Sequence, residues 1–183
     1  MGTTVTGLAV AGPNGGNRLV VFNVGDSRTY RFRHDDLVQI TADHSVVQEL
    51  IDAGVLAPAD SHTHPERHVI TRSLGSGAPL EIDYWVLEPQ VDDRYLATSD
   101  GLTKELTDHE IRSVLGASRS PQAAADALVA ATLEAGARDN VTVVVVDVVA
   151  AEDLESELDP LDADTNPRSP SRFEDTTVPP VRT

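Results

Sequence analysis

The sequence predicts an α+β domain in which helices cover antiparallel sheet. Three observations point there. β-Branched, apolar segments bounded by turn clusters fill the first quarter of the chain, two segments with strong helix-start signals come late, and an apolar strand follows the second of them. Regular strand-helix-strand alternation, the mark of a doubly wound nucleotide fold, is missing. The 183 residues suit one domain with a tail, and a chain that is 40% hydrophobic but only 4% aromatic has to build its core from Val, Leu, Ile and Ala.

The elements follow in order. Thr3 to Ala11 alternates and is β-branched, residues 12–17 are a Pro/Asn/Gly turn cluster, and Arg18 to Val24 is nearly continuously apolar. The two segments read as a hairpin whose second strand is buried on both faces. The Gly-rich stretch 12–16 is a better hairpin turn than phosphate cradle, because a strand follows it and it has no Lys. Gly25-Asp26-Ser27 turns the chain into a strand from Arg28 to Arg33, and His34-Asp35-Asp36 turns it again into Leu37 to Ile40, which together describe an antiparallel meander. Ser45 is placed to cap a short helix, Val46 to Ala53, that stops at Gly54. Residues 57–79, rich in Pro, His, Gly and Ser, form an irregular excursion before strands at Leu80 to Leu87 and Arg94 to Thr98. Thr107 with Glu110 makes a capping box for a helix to about Leu115, Pro121 opens a longer helix that ends near Gly136, and Asn140 to Val149 is the closing strand.

Charge divides the chain. Of the 30 acidic and 14 basic residues, which leave a net charge of −16, nine acidic and three basic fall in residues 151–183 together with five of the eleven prolines. That segment is predicted to be an acidic, Pro-containing disordered tail, with the domain in residues 1–150. The negative field opposes nucleic acid and anionic membranes and favours cations as ligands. With no Cys, disulfides and Cys-ligated metals are excluded. No run reaches membrane-spanning length and no charged-then-apolar leader opens the chain, so a soluble, cytoplasmic protein is expected. The sequon Asn140-Val141-Thr142 then has no secretory context, and the myristoylation pattern of Gly2 and Thr6 runs into a strand instead of a free arm.

The candidates for chemistry are acids at element ends. Asp100, in Ser99-Asp100-Gly101, directly follows an apolar strand, and the Gly permits a ligand to approach the backbone closely. Asp139, before Asn140, directly precedes another. Two carboxylates over one sheet edge could hold a hard cation such as Mg²⁺ or Mn²⁺, although spacing alone favours ordinary turn and cap roles. His62, His64 and His68 could bind zinc, but a Pro-rich loop gives them no ligating register, and a solvated loop is the stronger reading. Asp26 and Arg28 could pair to pin a turn or belong to a site, and pinning is the favoured reading. Ser99 has no paired base that sequence reveals, so nucleophilic catalysis has no support.

A set of ordered motifs changes the balance. Gly2-Thr3-Thr4, Val24-Gly25-Asp26-Ser27-Arg28, Ile40-Thr41-Ala42-Asp43-His44-Ser45, Val69-Ile70-Thr71-Arg72-Ser73-Leu74-Gly75, Tyr95-Leu96-Ala97-Thr98-Ser99-Asp100-Gly101-Leu102 and Asp139-Asn140-Val141-Thr142-Val143 together resemble the metal-dependent protein phosphatases of the PPM type (type 2C) in their bacterial form. The resemblance implies an α-β-β-α sandwich of two antiparallel sheets flanked by helices. It further implies hydrolysis of phosphoserine and phosphothreonine in proteins by water held between two Mg²⁺ or Mn²⁺ ions. By motif, it makes Asp100 and Asp139 metal ligands, and residues 46–77 a flap beside the site.

The departures also carry information. The phosphate-gripping Arg and the Asp-Gly-x-Gly-Gly motif with its bridging Asp, both expected early in such a domain, do not occur in the sequence. The expectation is therefore a remnant of the sandwich with N-terminal strands and helices missing, catalytic residues unknown, and no activity for the chain alone. The competing reading is a non-catalytic phosphatase-like binding or regulatory module. In the tail, Thr176 and Thr177 beside Glu174 and Asp175 form an acidic threonine site that a serine/threonine kinase could modify and a phosphothreonine-binding domain could read.

Overall fold

The computed structural model describes residues 2–11, 18–75, 77 and 80–150. The 12–16 loop and the 151–183 tail, with Thr176 and Thr177, lie outside the described residues. In chain order the elements are β1 (Val5–Ala11), β2 (Arg18–Val24), β3 (Arg28–Arg33), β4 (Asp36–Gln39), α1 (Val46–Asp52), a 3-10 turn (Pro58–Thr63), β5 (Asp83–Leu87), β6 (Arg94–Thr98), α2 (Asp100–Thr103), α3 (Asp108–Ala117), α4 (Pro121–Glu134) and β7 (Val143–Asp147).

Two antiparallel sheets form, with strand orders β1-β2-β5 and β4-β3-β6-β7. The expected meander is therefore corrected. β1 and β2 pair as a hairpin, but β2 and β3 belong to different sheets. Gly25 makes the crossing, at a φ of 112° that L-residues avoid, and a Cβ there would lie 2.3 Å from Cγ2 of Thr4, just before β1. β1 lies against β3 and β6 of the other sheet. Hydroxyl pairs stitch the two layers, Thr4 Oγ1 to Ser27 Oγ at 3.0 Å and Thr6 Oγ1 to Thr29 Oγ1 at 2.9 Å.

β2 is also corrected from two buried faces to one. Leu19, Val21 and Asn23 are buried while Val20 and Phe22 are half-buried, because β2 is the centre of a three-stranded sheet with a single covered face. On the uncovered side, β5 presents Tyr84 and Val86, both exposed. β5 also starts later than expected, at Asp83, leaving Leu80 and Ile82 exposed ahead of it.

The four-stranded sheet carries the main core. Tyr30 and Leu96 from its strands meet Ile111 and Leu115 of α3 and Ala124 and Leu128 of α4, with Leu102 and Leu106 closing the cluster. The cap residues behave as their chemistry requires. Ser45 accepts from Gln48 N at 3.3 Å to start α1, the Thr107–Glu110 capping box starts α3, and Ser120 with Pro121 behind it starts α4. Residues 57–75 do not leave the domain as a free loop. Isolated bridges Ser45 to Ile70 and Thr3 to Leu74 return the segment to the strand ends.

Candidate metal centre

Strand register places three carboxylates at one end of the four-stranded sheet. Arg28 pairs with Thr98, and Thr98 with Val143. Asp26 just before β3, Asp100 just after β6 and Asp139 just before β7 therefore emerge together. A lattice of short bonds locks the last two turns to each other: Ser99 N donates to Thr142 O at 3.1 Å, Thr142 N to Ser99 Oγ at 3.0 Å, and Thr98 Oγ1 to Thr142 O at 3.0 Å.

Gly101 has a different reason from the one expected. A Cβ there would sit 2.3 Å from the carbonyl oxygen of Asn140, so the missing side chain admits the neighbouring backbone, not a ligand. This contact is what brings Asp100 and Asp139 to one place. Asp100 opens α2, a single turn that the sequence reading did not contain, anchored by buried Leu102. The turn carries Lys104 back over Asp100. Its ammonium forms ion pairs with Asp100 and with Asp139 Oδ2, the latter at 3.2 Å.

The electrostatics follow the geometry. The N–H of Asn140, 2.8 Å from Asp139 Oδ1, and then Lys104 hold the Asp139 carboxyl below the usual carboxylate range. Asp26 is shifted the other way, raised by burial and then by the charge of Asp100. Lys104 is raised, because its two carboxylate partners outweigh the burial that opposes its charge.

Arg28 does not pair with Asp26, contrary to the sequence expectation. Strand alternation puts Arg28 on the face of Tyr30 and beside the 41–43 loop. There its guanidinium forks onto Asp43 at 2.7 to 3.1 Å and donates to Tyr30 Oη at 3.2 Å. Tyr30, pushed up to about 12 mainly by burial, donates in turn to Asp108 at 3.3 Å. Asp26 is left to the cavity, which favours the site role over the turn-pinning role that the sequence reading preferred. Its signal was position: an acid directly after a buried strand, as at Asp100.

A cavity of about 530 Å³ lies over this sheet end, lined by Asp26, Asp43, Asp100, Lys104 and Asp139, with Arg67 and His68 contributed by the 46–77 segment. The three histidines of that segment do not behave as a set. His68 lines the cavity, His64 Nδ1 accepts from Glu66 N at 3.2 Å within its own turn, and the side chain of His62 lies outside the described residues. Among the described residues no three His, Asp or Glu side chains converge on one metal-binding point. Asp100 and Asp139 nevertheless fit a divalent ion in kind: their donors are carboxylate oxygens, and the position between them already holds a cation, the Lys104 ammonium.

Two sheets face to face, helices on the outer face of one, and paired acids over a sheet end agree with the sandwich that the motif resemblance implies. No family model matches the chain. Among curated proteins it is 42% identical over 151 residues to the serine/threonine protein phosphatase PstP of Mycobacterium tuberculosis, covering 81% of this chain and 28% of that protein. The crystal structure of the Mycobacterium tuberculosis phosphatase PstP/Ppp superposes with a TM-score of 0.75 at 40% identity, covering 81% of this chain and 61% of that one. A structure of the PstP catalytic domain in complex with two manganese ions gives a TM-score of 0.71 at 39% identity and covers 60% of its chain. By sequence and by fold the chain is thus homologous to the bacterial PPM-type serine/threonine phosphatases. It spans about six-tenths of the solved relatives' chains.

Proposed function

We propose that this chain serves metal-dependent hydrolysis of phosphoserine and phosphothreonine in proteins, with Asp100 and Asp139 as ligands of Mg²⁺ or Mn²⁺ and Asp26 as a further carboxylate of the same cavity. The observation that carries the reading is the bridging of Asp100 and Asp139 by one cation at the sheet end, within a fold shared with a manganese-bound phosphatase domain. Bound divalent ions would supply a water of lowered pKa and neutralise charge in the in-line displacement. The chain's own part is positional. Gly101 and Ser99 hold the Asp100 and Asp139 turns together, and Asn140 N–H orients one oxygen of Asp139. Arg67 and His68, which line the cavity together with Arg28 and Arg138, suit an anionic phosphoprotein.

Among the described residues no helix is long and apolar enough to cross a membrane, and a cytoplasmic site of action belongs to the same reading. So does a partner kinase or phosphothreonine-binding domain engaging Thr176 and Thr177. A divalent ion takes about six oxygen ligands. Water can complete much of each shell, but the sequence has no Asp-Gly-x-Gly-Gly motif to supply the bridging Asp that the resemblance implies for two ions. Residues 1–183 alone are therefore expected to release phosphate from a phosphothreonine peptide at a negligible rate in Mn²⁺. The decisive experiment places Asp100→Asn and Asp139→Asn in an Mn²⁺-active fusion of residues 1–183 to the N-terminal segment of a solved PPM-type relative. Each is expected to abolish turnover, and undiminished turnover in both would sink the assignment.

A further inference from the structure

We propose that Lys104 is an internal competitor for the divalent ion: its ammonium holds the place between Asp100 and Asp139 and has to swing away before a metal can use both carboxylates. The inference rests on the reading of these two acids as metal ligands. The Lys104 Nζ ion-pairs with Asp100 and lies 3.2 Å from Asp139 Oδ2. A divalent ion needs those same oxygens at about 2.0 to 2.6 Å. An ammonium in contact with both oxygens would then face the ion across a few ångströms, with like charges opposed.

The carboxylates themselves have little freedom to adapt. Asp139 is held by Asn140 N–H at 2.8 Å, and Asp100 sits on a turn wedged by Gly101 against the Asn140 backbone and anchored by buried Leu102. Lys104 is the movable partner. Its side chain is a flexible four-carbon arm with about a third of its surface open to solvent, which leaves it a path outward. The consequence is a threshold. At low metal the acid pair keeps a counterion of its own, and the metal has to displace it, so the site loads at a higher concentration than the carboxylates alone would require.

The test is Mn²⁺ binding to the full 183-residue chain, followed by water-proton relaxation and independent of turnover, for the wild type, Lys104→Met, Lys104→Arg and Asp139→Asn. Lys104→Met keeps the length of the arm and removes its charge. It is expected to bind Mn²⁺ roughly tenfold more tightly, the loss of two partly exposed ion pairs. Lys104→Arg is expected to stay near the wild type, and Asp139→Asn to bind more weakly than it. If Asp139→Asn weakens binding and Lys104→Met leaves it unchanged or weaker, the competitor is overturned and the metal site stands. If Asp139→Asn binds like the wild type, or if no protein binds, the site reading itself is overturned. A loss of folding in Lys104→Met, checked by far-ultraviolet circular dichroism, would show that Lys104 is a structural tie and would also overturn the proposal.

Discussion

The two ends of the four-stranded sheet handle charge in opposite ways. At the β3/β4 hairpin end Asp35, Asp93 and Asp147 are each paired with a guanidinium, of Arg112, Arg33 and Arg94. Arg33 forks onto Asp93, which is fully buried and also accepts from Gln90 N at 2.9 Å and Tyr95 Oη at 3.1 Å. Arg94 forks onto Asp147 at 2.7 Å and satisfies the carbonyls of Leu115 and Ser118, where α3 ends. At the other end Asp26, Asp100 and Asp139 share Lys104. The same register builds both, since β3, β6 and β7 are paired along their lengths. Matched charges at one end hold the fold. Surplus carboxylate at the other, half-exposed at Asp139, is affordable only because solvent and cations reach it.

The largest test of that contrast is Asp93→Asn. It leaves Arg33 without its buried partner and is expected to cost roughly 3 kcal/mol of unfolding free energy in urea at neutral pH. Asp139→Asn is expected to leave the urea midpoint nearly in place, and an equal loss in both would erase the distinction. The pH dependence carries a definite sign. Burial alone would raise Asp93, but Arg33, the Gln90 N–H and Tyr95 together hold it below the usual carboxylate range. Its contribution is therefore complete above the unfolded value of about 3.9 and disappears as pH falls through the lower folded value. The stability gap between wild type and Asp93→Asn should accordingly close in acid, below about pH 4.

Gly101→Ala comes next. With its new Cβ forced against the Asn140 carbonyl, it should lose about 2 kcal/mol and also separate Asp100 from Asp139, weakening Mn²⁺ binding along with stability. Normal Mn²⁺ affinity in this variant would mean that Gly101 does not set the spacing of the acids. The smallest effect is stabilisation by metal. Mn²⁺ at ten times its dissociation constant should add about 1.4 kcal/mol, visible as a higher melting temperature. The rise is expected to vanish in Asp139→Asn and to persist in a folded Asp93→Asn, and a rise that follows Asp93 instead would move the ion to the wrong end of the sheet.

Much of this molecule is legible in one dimension. Alternation in β1, the apolar run of β2 and the β-favouring residues of β3 located these strands to within two residues, and the Ser45, Thr107 and Pro121 signals located three helices, because a helix start is settled within one turn of chain. The motifs around Asp100 and Asp139 pointed to the pair that Lys104 bridges. Where reading failed, the missing information was nonlocal. Gly25 looks like any tight turn, and only the pairing of β3 with β4 and β6, in place of β2, shows that the chain changes layer there. Asp26 and Arg28 are two residues apart, yet Arg28 turns to Asp43, fifteen residues away, because strand alternation aims it there. Lys104 stands four residues after Asp100, a spacing that means nothing until α2 is known to be a helical turn.

The sequence by itself therefore determined most strands, the starts of α1, α3 and α4, the aliphatic core and the acid-rich strand ends. Those follow from side-chain period, cap chemistry and composition acting over a few residues. The tertiary structure alone decided which sheet each strand joins and which cation each acid keeps. Arg33 and Asp93 are 60 residues apart and Lys104 and Asp139 are 35 apart, so their pairing is chosen by strand register and the close approach at Gly101, and not by any preference of the residues for their neighbours in the chain.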